Sequence, residues 1–496
     1  MPMLSLLLAL LLGDELAEQK KALFDAISNY NDTKGIAAVK KVASFDSKEA
    51  IDVLLAACAA MERTSAPLEK EREVCLRVME THVYDPETRK WKGDKEKYYE
   101  AKGRYEDLSA KLARLQAITN VVIQGLGGLK SEPSIRELIA RLQSSSDVFV
   151  RVAVASALGR AVHPDIRPAL LAQLKKEKDA GVRVALIDAL RIQHADEAAE
   201  LLCGALQDEY WQVRVAAAQA LGALKIVTAV EFLIEAIRNA EGRVRTEMNA
   251  ALVAITGVDK HGDGSAWRSW WEKNREALLA GTYRPDPAER AGETGGTTFY
   301  GIPVTSTRVV FVIDRSGSMA GPAKWKPDDV ATGGGPDVPK SQGERKIDVA
   351  RYELKKVLAM MPDGAQVNIL FFGSLVEPMG EKLATLNKEM RRRANVFVDS
   401  VEPGTATNIS EGLLQALAFA GLADKLVKGG IDTIYLLSDG MPTAGIRNAE
   451  ELLTAIAASN RTRKVAIHAI GIEASVESEK LLKRLAGQNG GTYVRR

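Results

Sequence analysis

Asp314, Ser316 and Ser318 crowd a carboxylate and two hydroxyls into the turn Asp314-Arg315-Ser316-Gly317-Ser318, directly after the apolar run Val309-Val310-Phe311-Val312-Ile313. Those β-prone residues predict a strand that delivers the oxygens to one point, and Gly317 lets the backbone fold tightly between the serines. Donors that are all oxygen suit a hard divalent cation such as Mg²⁺. A second carboxylate, Asp439 of Leu436-Leu437-Ser438-Asp439-Gly440, also closes an apolar, strand-like run. In an open, mostly parallel sheet, ligands bind outside the carboxyl ends of the strands. Two Asp residues in that setting can meet at one site.

This arrangement resembles the von Willebrand factor type A domain and its metal-ion-dependent adhesion site. The family's signature is Asp-x-Ser-x-Ser, then a Thr, then an Asp, drawn from three loops. Asp314, Ser316 and Ser318 match the first element and Asp439 the last, while Thr407 precedes an apolar helical stretch as the family's Thr does. The resemblance covers residues 300–496. It implies one Mg²⁺ (or Mn²⁺) ion, with hydroxyl ligands from Ser316, Ser318 and Thr407. Asp314 and Asp439 would bind the ion directly or hold its waters. One position would stay open for an Asp or Glu carboxylate of a partner protein. Neutral hydroxyls leave the cation electron-poor, so an incoming carboxylate adds a strong charge-assisted bond.

The chain departs from the family pattern in two places. The family has glycine just before its Thr, whereas Gly404-Thr405-Ala406-Thr407 makes Thr405 a competing ligand. Ala320 to about Arg345 reads as an insertion carrying Gly333-Gly334-Gly335, Trp325 and the pair Asp328-Asp329. Such a loop either covers the metal or is a surface excursion, and the second reading is preferred.

The elements around these motifs alternate. Strands are predicted at 366–372, 433–437, 465–472 and 492–494, and helices at 386–401, 409–420, 449–459 and 476–486. That alternation argues for a doubly wound parallel sheet with helices on both faces.

Upstream lies an internal repeat. Val150-Arg151, Val182-Arg183, Val213-Arg214 and Val244-Arg245 recur at spacings of 32, 31 and 31 residues, each followed by an Ala-Leu pair from Ala157-Leu158 to Ala251-Leu252. Second helical patterns such as 166–174 and 198–206 lie between them. Small Ala residues permit close stacking of helical pairs, which is the logic of a solenoid. The units resemble HEAT-type repeats, particularly their short bacterial form. The repeat arginines are read as structural, bonding to carboxylates such as Asp147 or Asp179. The array ends in Trp267, Trp270 and Trp271, whose i, i+3, i+4 spacing marks one helix face that caps the solenoid. Asp259 and Asp263 do not form a calcium loop, because the twelfth position holds Trp270 in place of Glu. Ahead of the repeats, the stripe Tyr98, Ala101, Tyr105, Leu108, Leu112, Leu115, Thr119 and Val122 predicts a long amphipathic helix packed on a neighbour.

The chain is thus multidomain, an all-α solenoid followed by an α/β doubly wound sheet. It divides into a candidate signal-peptide segment at 1–13, an N-terminal helical region at 14–118 and HEAT-like repeats at 119–257, then a Trp-rich capping helix at 258–280, a linker at 281–299 and the von Willebrand factor type A domain at 300–496. Lys and Arg number 67 against 65 Asp and Glu, so nothing in the balance implies nucleic acid. Leu4–Leu12 is too short to span a bilayer but matches a signal-peptide core, which places the chain outside the cytoplasm, secreted or at the cell surface or in the periplasm. The alternative is an apolar first helix turn in a cytoplasmic protein. Cys58, Cys75 and Cys203 have no metal or redox spacing, and His468 reads as a core residue.

The function expected from these parts is a non-enzymatic adhesion or adaptor protein. Its metal site takes a partner carboxylate, and its repeats form a second protein-binding surface. Two alternatives are a metal-independent scaffold acting through the repeats and, by the same resemblance, a cytoplasmic partner of a ring-forming ATPase. A metal hydrolase wants a general base beyond its ligands, and both Asp314 and Asp439 are already committed.

Overall fold

A computed structural model describes residues 2–82, 84–85, 90–91, 93–285, 297–324, 345–422 and 425–496, with side chains from 13 onward except at 73, 76, 80, 84–85, 90–91, 106, 422 and 425. Most of the Ala320–Arg345 insertion, including Trp325, Asp328-Asp329 and the triple glycine, lies outside them, as do the centre of the linker and the side chains of Leu4–Leu12. The chain forms two compact units that divide at Leu201/Leu202.

In the first unit, α1 (Pro2–Ser28), α2 (Asp32–Ala43), α3 (Lys48–Thr81) and α4 (Lys95–Gly127) precede the first repeat helices. The stripe that begins at Tyr98 lies on α4, which packs along α3. The pairing is antiparallel, since Arg104 bonds Glu71 at 2.7 Å while Thr119 bonds the Met61 sulfur at 3.2 Å. The repeats continue as α5 (Glu132–Ser144), α6 (Val148–Leu158), α7 (Ile166–Lys176) and α8 (Ala180–Ile192). A Cβ on Gly159, just after α6, would stand 2.9 Å from Ala189 Cα, so only glycine lets these helices approach this closely. The repeat arginines differ in part from expectation. Asp147 and Asp179 cap their helices by accepting from the N–H groups of Val150 and Val182 at 3.2 and 3.0 Å. Arg151 and Arg183 donate to main-chain carbonyls of the preceding turn, Ser145 and Lys178, at 3.0 and 2.7 Å, and Arg151 also holds the Glu177 carboxylate through two nitrogens at 3.0 and 3.1 Å. An N-cap carboxylate is consumed by orphan amides, which leaves the guanidinium to satisfy the orphan carbonyls.

The division falls within α9 (Ala199–Ala205), and the second unit continues with the repeat helices α10 (Trp211–Ala223), α11 (Val230–Ile237) and α12 (Gly242–Thr256), followed by α13 (Gly264–Leu279). The pattern recurs: Arg214 and Arg245 donate to the carbonyls of Asp208 and Ala240 at 2.6 and 2.7 Å, and Gly222 lies against Ala251. Trp267, Trp270 and Trp271 are all buried, and Trp267 Nε1 donates to Asn249 Oδ1 at 2.8 Å. Asp263 caps α13 and Asp259 accepts from Asn249, so both carboxylates are engaged structurally.

The α/β part of this unit is a seven-stranded sheet. Its strands are β1 (Arg308–Asp314), β2 (Gln366–Phe372), β3 (Val376–Pro378), β4 (Ala384–Thr385), β5 (Thr433–Ser438), β6 (Ala466–Gly471) and β7 (Tyr493–Arg495). The order is β7-β6-β5-β1-β2-β3, with β4 also pairing β2; β7 through β2 run parallel, and β3 and β4 run antiparallel to β2. Helices α14 (Lys346–Met360) and α15 (Lys388–Ser400) cover one face, and α16 (Ile409–Ala418), α17 (Ala449–Asn460) and α18 (Val476–Gln488) the other. Burial from both sides explains why Val309 through Ile313 form an unbroken apolar run, each fully buried. The chain moves from β1 to β2 on one side and later to β5 on the other. The strand order therefore reverses between β1 and β5, the switch point where open α/β sheets bind ligands.

The amino edge of the sheet rests on the repeat helices of the same unit. Arg243 of α12 donates to the carbonyls of Lys464 and Gly490 at 2.9 and 3.2 Å and pairs with Glu247 at 2.9 Å. Gln212 donates to Val427 O, Lys428 pairs with Glu209, and the Arg308 guanidinium lies 5.5 Å over the Trp211 ring. A cleft of about 530 Å³ runs along this joint past Arg214, Glu241 and Asp432. Its arginines and Asp432 are used at the seam: Arg308 pairs with Asp432 at 3.0 Å and Arg214 bonds the Asp208 carbonyl. The cleft is therefore a joint and lies at the far edge from the converging oxygens.

Candidate functional site

At the carboxyl edge, β1 ends in Asp314 and a short 3₁₀ turn, Gly317–Ala320, follows. Met319 is fully buried and anchors this turn, which leaves Ser318 facing solvent. Asp314 Oδ1 accepts from the Ser316 N–H at 2.7 Å, and the Ser316 and Ser318 hydroxyls lie 3.0 Å apart. Ser318 Oγ donates to Asp439 Oδ1 at 2.7 Å, which links the β1 turn to the end of β5. Gly317 is needed for close approach, because a Cβ there would stand 3.2 Å from Gly404 O. Its φ is not positive, so the tight turn foreseen between the serines is not what demands glycine.

The third loop is tied to the first by main chain. Gly404 N–H donates to Arg315 O at 2.5 Å, and Asn408 N–H to Gly373 O at 3.0 Å. Arg315 also pairs with Glu377 at 2.7 Å. Thr407 is buried, and its carbonyl accepts from Thr443 N–H at 2.9 Å. Its Oγ1 lies beside the Asp439-Gly440 turn, 4.0 Å from where a Cβ on Gly440 would stand. Thr405 is exposed and its hydroxyl meets Ser374 Oγ at 2.8 Å. The loop thus turns Thr407 inward and Thr405 outward.

Two residues that the sequence reading passed over belong to this constellation. Ser438 Oγ donates to Asp314 Oδ2 at 2.6 Å, and Lys346 Nζ lies 2.8 Å from Asp439 Oδ2. Ser438 stands next to Asp439 at a strand end, so its position carried a signal. Lys346 follows the insertion, and only the fold returns it here: Pro322 bridges Arg345, and Lys346 N–H donates to Gly321 O at 3.0 Å.

Asp314 is fully buried and has no cationic partner among the described residues. Burial pushes its carboxyl up to about 6, against the hydrogen bonds from Ser438 and Ser316 that hold it down. Among the described residues no three His, Cys, Asp or Glu side chains gather at one point. The donor set is instead two carboxylates with the hydroxyls of Ser316, Ser318 and Thr407, oxygen throughout. That chemistry fits a hard divalent ion and not a soft one.

Residues 339–495 match the von Willebrand factor type A domain family, and residues 116–191 and 167–253 match HEAT repeats. The first match begins beyond Asp314–Ser318, which enter the same sheet through β1. Inter-alpha-trypsin inhibitor heavy chain H4 of Homo sapiens is 27% identical over 194 residues, 38% of this chain and 18% of that protein. Heavy chain H3 of Homo sapiens is 27% identical over 155 residues, 31% of this chain and 15% of that protein. The chain therefore spans less than a fifth of the length of these curated relatives. Among solved structures, a von Willebrand factor type A protein from Catenulispora acidiphila aligns at 21% identity with a TM-score of 0.28, over 39% of each chain. Manganese-loaded TRAP protein of Plasmodium vivax aligns at 16% identity with a TM-score of 0.26, over 36% of this chain and 61% of that one. Family matches and sheet topology agree: the chain carries HEAT repeats followed by a von Willebrand factor type A domain.

Proposed function

We propose that the protein is a non-enzymatic binding protein whose α/β domain holds one Mg²⁺ or Mn²⁺ through Asp314, Ser316, Ser318, Thr407 and Asp439. The observation that carries this reading is the convergence, at the switch point, of two carboxylates and hydroxyls from three loops, around a buried Asp314 without a cationic partner. When bound, the ion supplies a Lewis-acidic position for a partner protein's Asp or Glu carboxylate. The chain's own residues pre-arrange that position. Arg315 and Glu377 brace the loops, Ser438 orients Asp314, and Thr443 holds the Thr407 backbone.

A binding role is favoured over catalysis because the carboxylates that the Ser318 and Ser438 hydroxyls bond, Asp439 and Asp314, are the ones this reading commits to the metal. Burial pushes the thiols of Cys58 and Cys203 up to about 12 and about 11, and holds His468 down to about 4. The HEAT repeats supply the surface for a second protein. Export to the cell surface or beyond is the location that suits an adhesion role, and among the described residues no helix is long and apolar enough to cross a membrane.

The test is calorimetric titration of Mg²⁺ and Mn²⁺ into the whole chain, with Asp314→Ala beside it. One saturable site that vanishes in the variant is the expected result. A folded wild-type chain that binds neither ion overturns the reading.

A further inference from the structure

The carboxyl edge already carries a fixed cation. Lys346 is the first residue of α14, and the hydrogen bond from its N–H to Gly321 O fixes where its side chain starts. The ammonium reaches Asp439 Oδ2 at 2.8 Å, with the lysine side chain 14% exposed and the aspartate side chain 1%. Asp439 Oδ1 is occupied by the Ser318 hydroxyl. Both Asp439 oxygens are thus engaged by this chain, while Asp314 has only neutral donors, Ser316 N–H and Ser438 Oγ. The two aspartates of the site are therefore not equivalent.

We propose that Lys346 is a positioning and specificity residue. It fixes Asp439 as the carboxylate that acts through Ser318, and it keeps the loaded site net positive. The role assumes the metal-binding reading above. Two carboxylates cancel the charge of a divalent ion, and the lysine adds one positive charge, for which no third carboxylate partner stands among the described residues. Two consequences of opposite sign follow. The ammonium repels the incoming metal ion, so it weakens metal binding. It also leaves an excess of positive charge that strengthens capture of an anionic ligand. Because the pair is largely shielded from solvent, salt screens it far less than a surface pair. The site gives up metal affinity for selectivity towards carboxylates.

The experiment is calorimetric titration of Mn²⁺ into the whole chain as wild type, Lys346→Met, Lys346→Gln and Lys346→Arg, with Asp314→Ala as the zero. Circular dichroism verifies folding, and Lys346→Gln keeps a hydrogen-bond donor should Lys346→Met fail to fold. A second readout follows the water-proton relaxation of bound Mn²⁺ as acetate is added. The neutral variants are expected to bind Mn²⁺ about tenfold more tightly or better, and to need more acetate for the same loss of relaxation. Lys346→Arg is expected to stay near wild type in both. Neutral variants that bind Mn²⁺ no better than wild type overturn the role of Lys346 and leave the metal site standing. Failure of wild type and all Lys346 variants to bind overturns both.

Discussion

At the amino edge of the sheet, Arg243 is spent on two carbonyls and on Glu247, and Asp432 receives Ser306, Thr433 and Arg308. At the carboxyl edge, Asp314 is equally buried but meets only neutral donors, and Ser316 and Ser318 share a contact in which either hydroxyl can be the donor. Buried polar groups that are fully partnered rigidify a joint. Groups that are buried and short of positive charge remain receptive to a cation. The same sheet therefore presents a closed edge and an open one, and burial alone does not distinguish them; the balance of donors and charge does.

The closed edge is expected to break most severely at Arg243. Its side chain is 5% exposed and that of Glu247 14%. Arg243→Ala strands a largely buried carboxylate and two carbonyls, a loss on the order of 3–5 kcal/mol. Denaturant unfolding of the variant measures it. Calorimetry on the same variant under native conditions is expected to show Mn²⁺ affinity within about twofold of wild type, since the two edges use separate residues. A large change in metal affinity would show that the edges are coupled.

His468 tests the closed edge by pH. Its ring stacks on Tyr435 with centroids 4.9 Å apart, and its Nδ1 accepts from Thr492 N–H at 3.0 Å. Burial, with the Arg243 charge behind it, holds the imidazole down to about 4 from an ordinary 6.5. The unfolded chain takes up this proton first as pH falls. The stability due to a neutral His468 is therefore complete above about pH 6.5 and is lost as pH falls towards 4. Relative to His468→Gln, which keeps an acceptor for Thr492, wild type is expected to lose about 3 kcal/mol between pH 7 and pH 4. Unfolding midpoints of both proteins across that range check it. A difference independent of pH would mean that folding leaves the His468 pKa where it stands in the unfolded chain.

The open edge was more legible in the sequence than the closed one, for a physical reason. Asp314 and Asp439 each end an apolar run, and a parallel sheet sends strand ends to a common edge whatever the sequence distance between them. The repeats were legible because Val-Arg and Ala-Leu recur at near-constant spacing, and close helix stacking tolerates only small residues at Gly159 and Gly222. Arg243 carried no comparable signal. Its partners are the backbone carbonyls of Lys464 and Gly490, more than 200 residues away, and a carbonyl has no residue type to recognise. The repeat arginines were legible only in part: Arg151 does hold a carboxylate, Glu177, but Asp147 and Asp179, nearest in sequence, were committed to helix capping. Lys346 was hidden by the insertion, whose return to Gly321 is a property of the fold.

The subtlest contrast lies within one loop at the open edge. Thr405 and Thr407 are two residues apart, and period-two alternation would put both hydroxyls on one side of an extended chain. The loop is not regular strand. Gly404 is held to Arg315 O and Asn408 to Gly373 O, and between those anchors Thr405 meets Ser374 while Thr407 turns towards Gly440. If Thr407 supplies a hydroxyl ligand, Thr407→Val, which keeps the shape and removes the oxygen, should weaken Mn²⁺ binding by about tenfold, or about 1.4 kcal/mol. Thr405→Val should leave it within about twofold, because only the contact to Ser374 is lost. Equal losses in the two variants would mean that the loop responds as a whole, and a larger loss at Thr405 would exchange their roles. Either result would be read from the same titration that defines the site, with each protein's fold checked first.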